Sequence, residues 1–344
     1  MSKRKKPLAL VMLSVIIAAC VIVCIAIFIP KGNPADPSTF SEIGVYLKKD
    51  ASWYETDEAA SVADAIVKYQ LSDGGWRKDW ANPDVEGSWA KSTIDNDGTT
   101  SEIYILARMY NETHKQRYKS ACIKGIKLLL DGQYDNGGWP QVFDDPGTYH
   151  AHITYNDHAM VHVLRLLKQV SERSGDFEFV SEKLAERAKK AVDKGVQCVL
   201  DTQIVVRGVR TAWCQQHDEF TLAPAQGRAY EHPTICCAES VGIVEFLMTL
   251  DDPDCRISES INAAVEWMRA SQLEGIKFVT QGDDRVVVED PDADPIWARF
   301  YEIETNRPLF SDRDGSIHYD VSEISKERRT GYAWYGNWAK KLVK

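Results

Sequence analysis

Beyond its first thirty residues the chain is poor in positive charge. Lys3, Arg4, Lys5 and Lys6 take four of its 41 basic residues into a leader that has no acid, so the remainder carries 37 against 51, a net charge of −14. Nucleic acid and anionic membrane surfaces are therefore poor partners, since both recruit basic faces. Cysteine is sparse as well, eight in all. The six outside the leader, Cys122, Cys198, Cys214, Cys236, Cys237 and Cys255, are an even number, but six admit 15 disulfide pairings and the spacing selects none. Polar side chains are almost missing from residues 8–29, where Ser14 interrupts an uncharged apolar run that follows the basic "MSKRKKP". Such a run is long enough to span a bilayer. We read residues 1–30 as a signal anchor with its cationic end in the cytoplasm. A cleaved signal peptide, or a lipoprotein processed at Cys20 in "IAAC", are the alternatives, and all three export the chain. The protein is thus expected on the outer face of the cell membrane or secreted, touching the membrane through this helix only. A linker over 31–50 and one domain over 51–344 follow.

What is present is repetition. Gln70, Gln133, Gln203 and Gln272 each follow a helical stretch, at spacings of 63, 70 and 69 residues. Between them lie second helical stretches, 99–113, 156–174 and 239–250, with apolar residues at three- and four-residue steps. A helical hairpin of this kind cannot bury its apolar face alone, so neighbours stack. "DGGW" at 73–76 and "NGGW" at 136–139 have the form of helix stops in which glycine supplies a positive φ and tryptophan turns back into the core. The expected fold is all-α, an α/α toroid of repeated hairpins with its Gly-Trp loops at one mouth. Residues 276–290, "IKFVTQGDDRVVVED", suit a small β-hairpin.

Chemistry is expected where polar, irregular segments follow helices at that mouth: "STIDNDGTTSEI" (92–103), "ITYNDHAM" (153–160), "AWCQQHDEFTLAPAQGRAYEHP" (212–233) and "RFYEIETNRPLFSDRD" (299–314). Asp95, Asn96 and Asp97 precede one helix, Asn156 and Asp157 another. A single Asp or Asn there is most often an N-cap. Two such pairs facing one cavity are instead hard oxygen ligands of the kind Ca²⁺ takes. The last segment has no clean period and sets three arginines among four acids and three aromatics. Taken alone it reads as solvated loop.

Together with "QLSDGGWRKDW", "NGGWPQVF" and "RRTGYAWYG", these loops, in this order, resemble the pectate lyases of polysaccharide lyase family 10, from about Trp53 to Trp338. The resemblance implies Ca²⁺-dependent β-elimination on polygalacturonate, the expected partner as polymer or oligomer, with the protein a monomer. Residue by residue, it implies Arg313 as the base, Asp95 and Asp157 as acids at the calcium and active centre, and Asn96, Arg228, Arg299 and Arg328 as substrate contacts. An arginine base runs against a pKa normally above about 12. Nearby cations, Ca²⁺ with Arg299 and Arg328, would penalise its charged form, and a small neutral fraction suffices when the proton is well placed. The chain departs from the family in placing Asp97, where glycine is common, before Gly98; that carboxylate would add a ligand or repel substrate. Two other classes remain open, a non-catalytic carbohydrate-binding toroid and a zinc-containing toroid enzyme built on Cys214, His217, His232, Cys236 and Cys237. An inverting glycosidase suits the toroid but not the arginines.

Overall fold

Helix signals in the sequence translate directly into structure. The computed structural model describes residues 43–80, 84 and 86–344. The expected anchor lies outside the described residues, and among those described no helix is long and apolar enough to cross a membrane. The helices are α1 (Asp57–Tyr69), α2 (Thr100–Thr113), α3 (Gln116–Asp131), α4 (Ala159–Glu172), α5 (Glu182–Thr202), α6 (Cys237–Leu247), α7 (Cys255–Ala270) and the short α8 (Lys326–Gly331). Side-chain caps start three of the outer ones: Thr56 accepts from Ala59 N, Ser181 from Leu184 N and Asp254 from Ile257 N. Hairpins α2–α3, α4–α5 and α6–α7 pack in two layers, with α4 touching α2 and α6 in one layer, and α1, α3, α5 and α7 in sequential contact in the other. Helix α6 is buried on nearly every side, with Glu239 and Ser240 enclosed among its apolar residues.

Three of the repeated glutamines and four tryptophans are the joints of this stack. Gln70 Nε2 donates to Gly74 O and to Ala121 O in α3; Gln133 Nε2 donates to Gly137 O and to Ala191 O in α5; Gln203 Nε2 donates to Thr211 O and to Ser260 O in α7. Each side-chain amide thus closes its own loop and ties the end of one outer helix to the next. Trp76, Trp139, Trp213 and Trp297 are fully buried, and each indole N–H donates to a carbonyl of the preceding outer helix: Ile66, Leu129, Val199 and Met268. These tryptophans are core residues.

Two expectations need correction. The Gly-Trp motifs do not stop helices, since α1 ends at Tyr69 and α3 at Asp131, five and six residues before the positive-φ glycines Gly74 and Gly137. Both glycines sit in the following loop because the backbone of the next outer helix passes there. A Cβ on Gly137, at φ 93°, would lie 2.1 Å from Lys194 O of α5. Gly137→Ala is therefore expected to lower stability by at least about 2 kcal/mol, read from the urea midpoint. Gly208→Ala, at φ 83° with nothing within 4 Å, isolates the backbone share and should cost less. Second, the described part of the linker is not free: Ile43–Lys48 forms a 3-10 turn with Ile43 buried and Leu47 O accepting from Arg108 of α2. Its apolar residues have a helix to cover.

Strands are few and short. The expected hairpin is present as Ile276–Gln281 paired with Asp284–Glu289, with Gly282 at φ 65° in the two-residue turn. A four-stranded sheet runs in the order Ile317–His318, Pro308–Ser311, Phe300–Tyr301, Ile235–Cys236. It fastens the arginine-rich segment to the entry of α6.

Candidate active site

The inner helices α2 and α4 are entered by the same turn built twice. Asp95–Asp97 and Asn156–His158 are 3-10 turns, and the φ values match position by position, Asn96 47° with Asp157 49°, Asp97 63° with His158 62°. Four consecutive-pair residues in the left-handed region, none of them glycine, mark stored backbone strain of the sort found at functional sites. The expected N-cap role is not what they do: neither Thr99 nor His158, the residues before α2 and α4, nor Ile94 nor Tyr155 before the turns, makes a side-chain cap. The carboxylates line two cavities instead, Asp95 buried and Asp97 and Asp157 about half exposed.

Asp95, 2% exposed, accepts from Lys78 Nζ at 2.5 Å and from Gln141 Nε2 at 2.7 Å. Asp157 accepts from Asn156 Nδ2 at 2.8 Å and lies 3.7 Å from Arg299 Nη2. Partial enclosure, and next the neighbouring Glu239, raise the Asp157 pKa. In the orientation that satisfies its amide, Asn96 gives its nitrogen to Asp157 Oδ2 at 3.2 Å and its oxygen to Lys78 Nζ at 3.3 Å. Asp95, Asn96, Asn156 and Asp157 share a cavity of about 140 Å³ with Lys78, Arg228 and Glu231. The buried Oε1 atoms of Gln141, Gln215 and Gln216 line it too, all three without a hydrogen-bond donor. Two carboxylates, two Asn amides and three unsatisfied carbonyl oxygens form a donor set that a hard divalent cation fits.

A second cavity of about 460 Å³ adjoins the first through Asn96 and Asp157, and carries Asp97, His162, Glu239, Arg299 and Trp338. Asp97, whose role the sequence left open, pairs with His162 Nδ1 of α4.

Each arginine of the site is held by a carboxylate. Arg228 Nε reaches Glu231 Oε2 at 2.9 Å, and Nη2 reaches Oε1 at 2.5 Å, with Glu231 buried. Burial opposes the Arg228 charge, but these hydrogen bonds outweigh it and raise its pKa. Arg299 Nη2 meets Glu239 Oε1 at 2.5 Å, and that pair is buried on both sides. Desolvation works against Arg299 as well, and the Glu239 charge prevails. Arg313, with a side chain 61% exposed, forks onto Glu327 at 2.9 and 2.7 Å; it lies on the rim, outside the lining of either cavity. Arg328 is buried and takes the same Glu327 carboxylate. Two aromatic rings gather all four: Arg228, Arg313 and Arg328 stand 5.1, 5.9 and 4.7 Å from the Tyr230 ring, and Arg299 5.1 Å from that of Tyr332.

Thus Asp95, Asn96, Asp157, Arg228 and Arg299 converge on the cavities, whereas Arg313 and Arg328 pair with Glu327 outside the lining of either one. Lys78, Glu231, Glu239 and Glu327 escaped the sequence analysis. For Lys78 the signal was its place just after a Gly-Trp turn. The zinc set does not assemble: His217 Nε2 accepts from Cys214 N and its Nδ1 donates to Leu222 O. Among the described residues the group with ligand atoms close enough for a metal is His152, Asp218 and Glu219. The six described cysteines are free, five of them buried.

The molecule is thus a two-layer stack of helical hairpins with acids and arginines gathered at the entries of its inner helices. The chain belongs to the pectic acid lyase family, whose model matches residues 64–343. It is a pectate lyase by that membership. Its structure is similar, at TM-score 0.77 and 33% identity, to a family 10 polysaccharide lyase from Cellvibrio cellulosa, over 90% of this chain and 94% of that one. An aspartate-to-alanine variant of the Cellvibrio cellulosa family 10 lyase, in complex with trigalacturonic acid, gives the same TM-score and identity over 88% and 95%. A comparison with curated proteins returns no match.

Proposed function

We propose that the chain cleaves polygalacturonate by Ca²⁺-dependent β-elimination with an arginine as the base, outside the cytoplasm. The carrying observation is the pair of strained turns that brings Asp95 and Asp157 into one oxygen-lined cavity with Arg228. The complex of the similar Cellvibrio cellulosa enzyme with trigalacturonic acid supports an oligogalacturonate as the ligand. In the reaction the C5 proton leaves to the base, a C4–C5 double bond forms, and the C4–O bond breaks with its electron pair going to the departing sugar's oxygen. As the C5 proton is removed, and before the C4–O bond has fully broken, negative charge builds at C5 beside its carboxylate and must be neutralised. Ca²⁺, when bound by Asp95 and Asp157 with the Asn96 and Asn156 amides, supplies that neutralisation. Arg299, fixed by Glu239, is placed to hold a substrate carboxylate. Of the arginines, Arg228 lines the acid cavity and Arg313 does not, which favours Arg228 as the proton acceptor and Arg313 as a carboxylate binder. The location rests on the apolar run 8–29.

Incubation of the purified chain with demethylated polygalacturonate tests this reading. It should release oligomers carrying the ultraviolet absorbance of a 4,5-unsaturated uronate. Binding of oligogalacturonate without that product would mean a non-catalytic carbohydrate-binding toroid.

A further inference from the structure

Among the described residues, Glu327 is the one carboxylate shared by two arginines of the site. Arg328 Nε and Nη2 donate to its Oε2 and Oε1 at 2.9 and 2.7 Å, and Arg313 Nε and Nη2 donate to the same two oxygens at the same distances. The two forks differ in setting. The Arg328 side chain is 5% exposed, its carbonyl accepts from Trp334 Nε1, and its guanidinium packs on Tyr230 at 4.7 Å, so it is fixed on every side. Arg313 has no such burial.

The backbone of Arg313 is anchored to the same short helix. Asp312 accepts from Arg313 N at 2.9 Å, from Ser325 N at 2.5 Å and from Ser325 Oγ at 2.9 Å, and Ser325 caps α8. The Asp312–Gly315 turn is thereby docked on the start of α8, and Glu327 in the first turn of α8 takes the side chain.

We propose that Glu327 is a positioning residue: a strut between buried Arg328 and exposed Arg313 that holds Arg313 as a fixed cation for a substrate carboxylate beside the cleavage site. This rests on the reading that the cleft binds polygalacturonate. Planar bidentate pairing restricts both position and orientation of a guanidinium, which a flexible exposed arginine otherwise lacks. The mutual electrostatics agree. Hydrogen bonds from Arg328 and then Arg313 lower the Glu327 pKa to about 2, and the Glu327 hydrogen bonds are the largest influence raising that of Arg313.

The test is Glu327→Gln, which keeps the shape but replaces one acceptor oxygen by a donor and removes the charge. KM for polygalacturonate should rise about tenfold with kcat within about twofold of wild type, the pattern of a lost binding contact. Arg313→Ala should do the same, and Glu327→Gln added to Arg313→Ala should change KM no further, because the strut then has nothing to carry. Glu327→Asp should restore part of the loss. Calorimetric titration with trigalacturonate reads the same weakening without turnover, so the role can be judged even if the chain proves inactive on the polymer, an outcome that would count against the functional reading instead. Unchanged KM and unchanged trigalacturonate affinity in Glu327→Gln overturn the proposal. So does an equal further loss in the Arg313→Ala background, which would mean that Glu327 acts through Arg328 and the fold.

Discussion

Excess EDTA is expected to cut the release of unsaturated product by at least about a hundredfold, the scale of a lost electrostatic stabiliser, with Ca²⁺ restoring it and Zn²⁺ not. The physical reason is the donor set. Asp95 is nearly inaccessible to solvent and Asp157 faces it across a cavity of about 140 Å³ whose other free atoms are amide oxygens. Oxygen donors without thiolate or imidazole favour a hard cation over zinc. Lys78 occupies one oxygen of Asp95, so the cation and the lysine compete for that carboxylate. Asp95→Asn and Asp157→Asn should each raise the Ca²⁺ concentration needed for half activity. A reading independent of turnover is available: Ca²⁺ should raise the melting temperature of the wild type by linkage and do so less in either variant. Full activity in excess chelator would remove both acids from a metal-binding role.

Arg228→Lys is expected to lower kcat by at least about a hundredfold, as for a lost general base, with little change in KM. Lysine keeps a cation but moves the nitrogen and loses the planar fork that Glu231 holds. Arg313→Lys should act mainly on KM. The contrast follows from location, since Arg228 borders the cavity of Asp95 and Asp157, whereas Arg313 lies outside its lining and is anchored to Glu327. In the wild type the rate should climb with pH, because only a neutral guanidinium accepts a proton. The opposite pattern, turnover lost in Arg313→Lys and kept in Arg228→Lys, returns the base to Arg313, where the family resemblance had placed it.

The scaffold was legible because its signals are local and repeated. Apolar residues at helical steps located all seven long helices to within a few residues, and the glutamine register gave the hairpin period before any contact was known. What was misread was also local: a Gly-Gly pair near a helix end suggests a stop, and only the path of the next outer helix past Gly74 and Gly137 explains them. For the site, acid and amide types before two helices marked Asp95, Asn96 and Asp157, and the family resemblance alone marked the arginines, of which Arg228 and Arg299 line the cavities and Arg313 and Arg328 do not. Their partners were invisible for a different reason. Glu239 lies 60 residues from Arg299 and Gln141 46 from Asp95, and a lone acid in a helix or loop carries no mark of the arginine it will face. Asp97 likewise acquires a meaning only when α4 brings His162 beside it.

The glutamine joints bear on how such a molecule changes over time. Each amide grips a main-chain carbonyl, at Ala121, Ala191 and Ser260, and a carbonyl is the same whatever side chain it belongs to. The receiving helix is therefore free to vary in sequence without loosening the grip, while the distance between successive loops stays set by the amide's reach. Residues that do chemistry at the loop tips can be exchanged one by one against an unchanged frame, so substrate preference and architecture are able to drift independently.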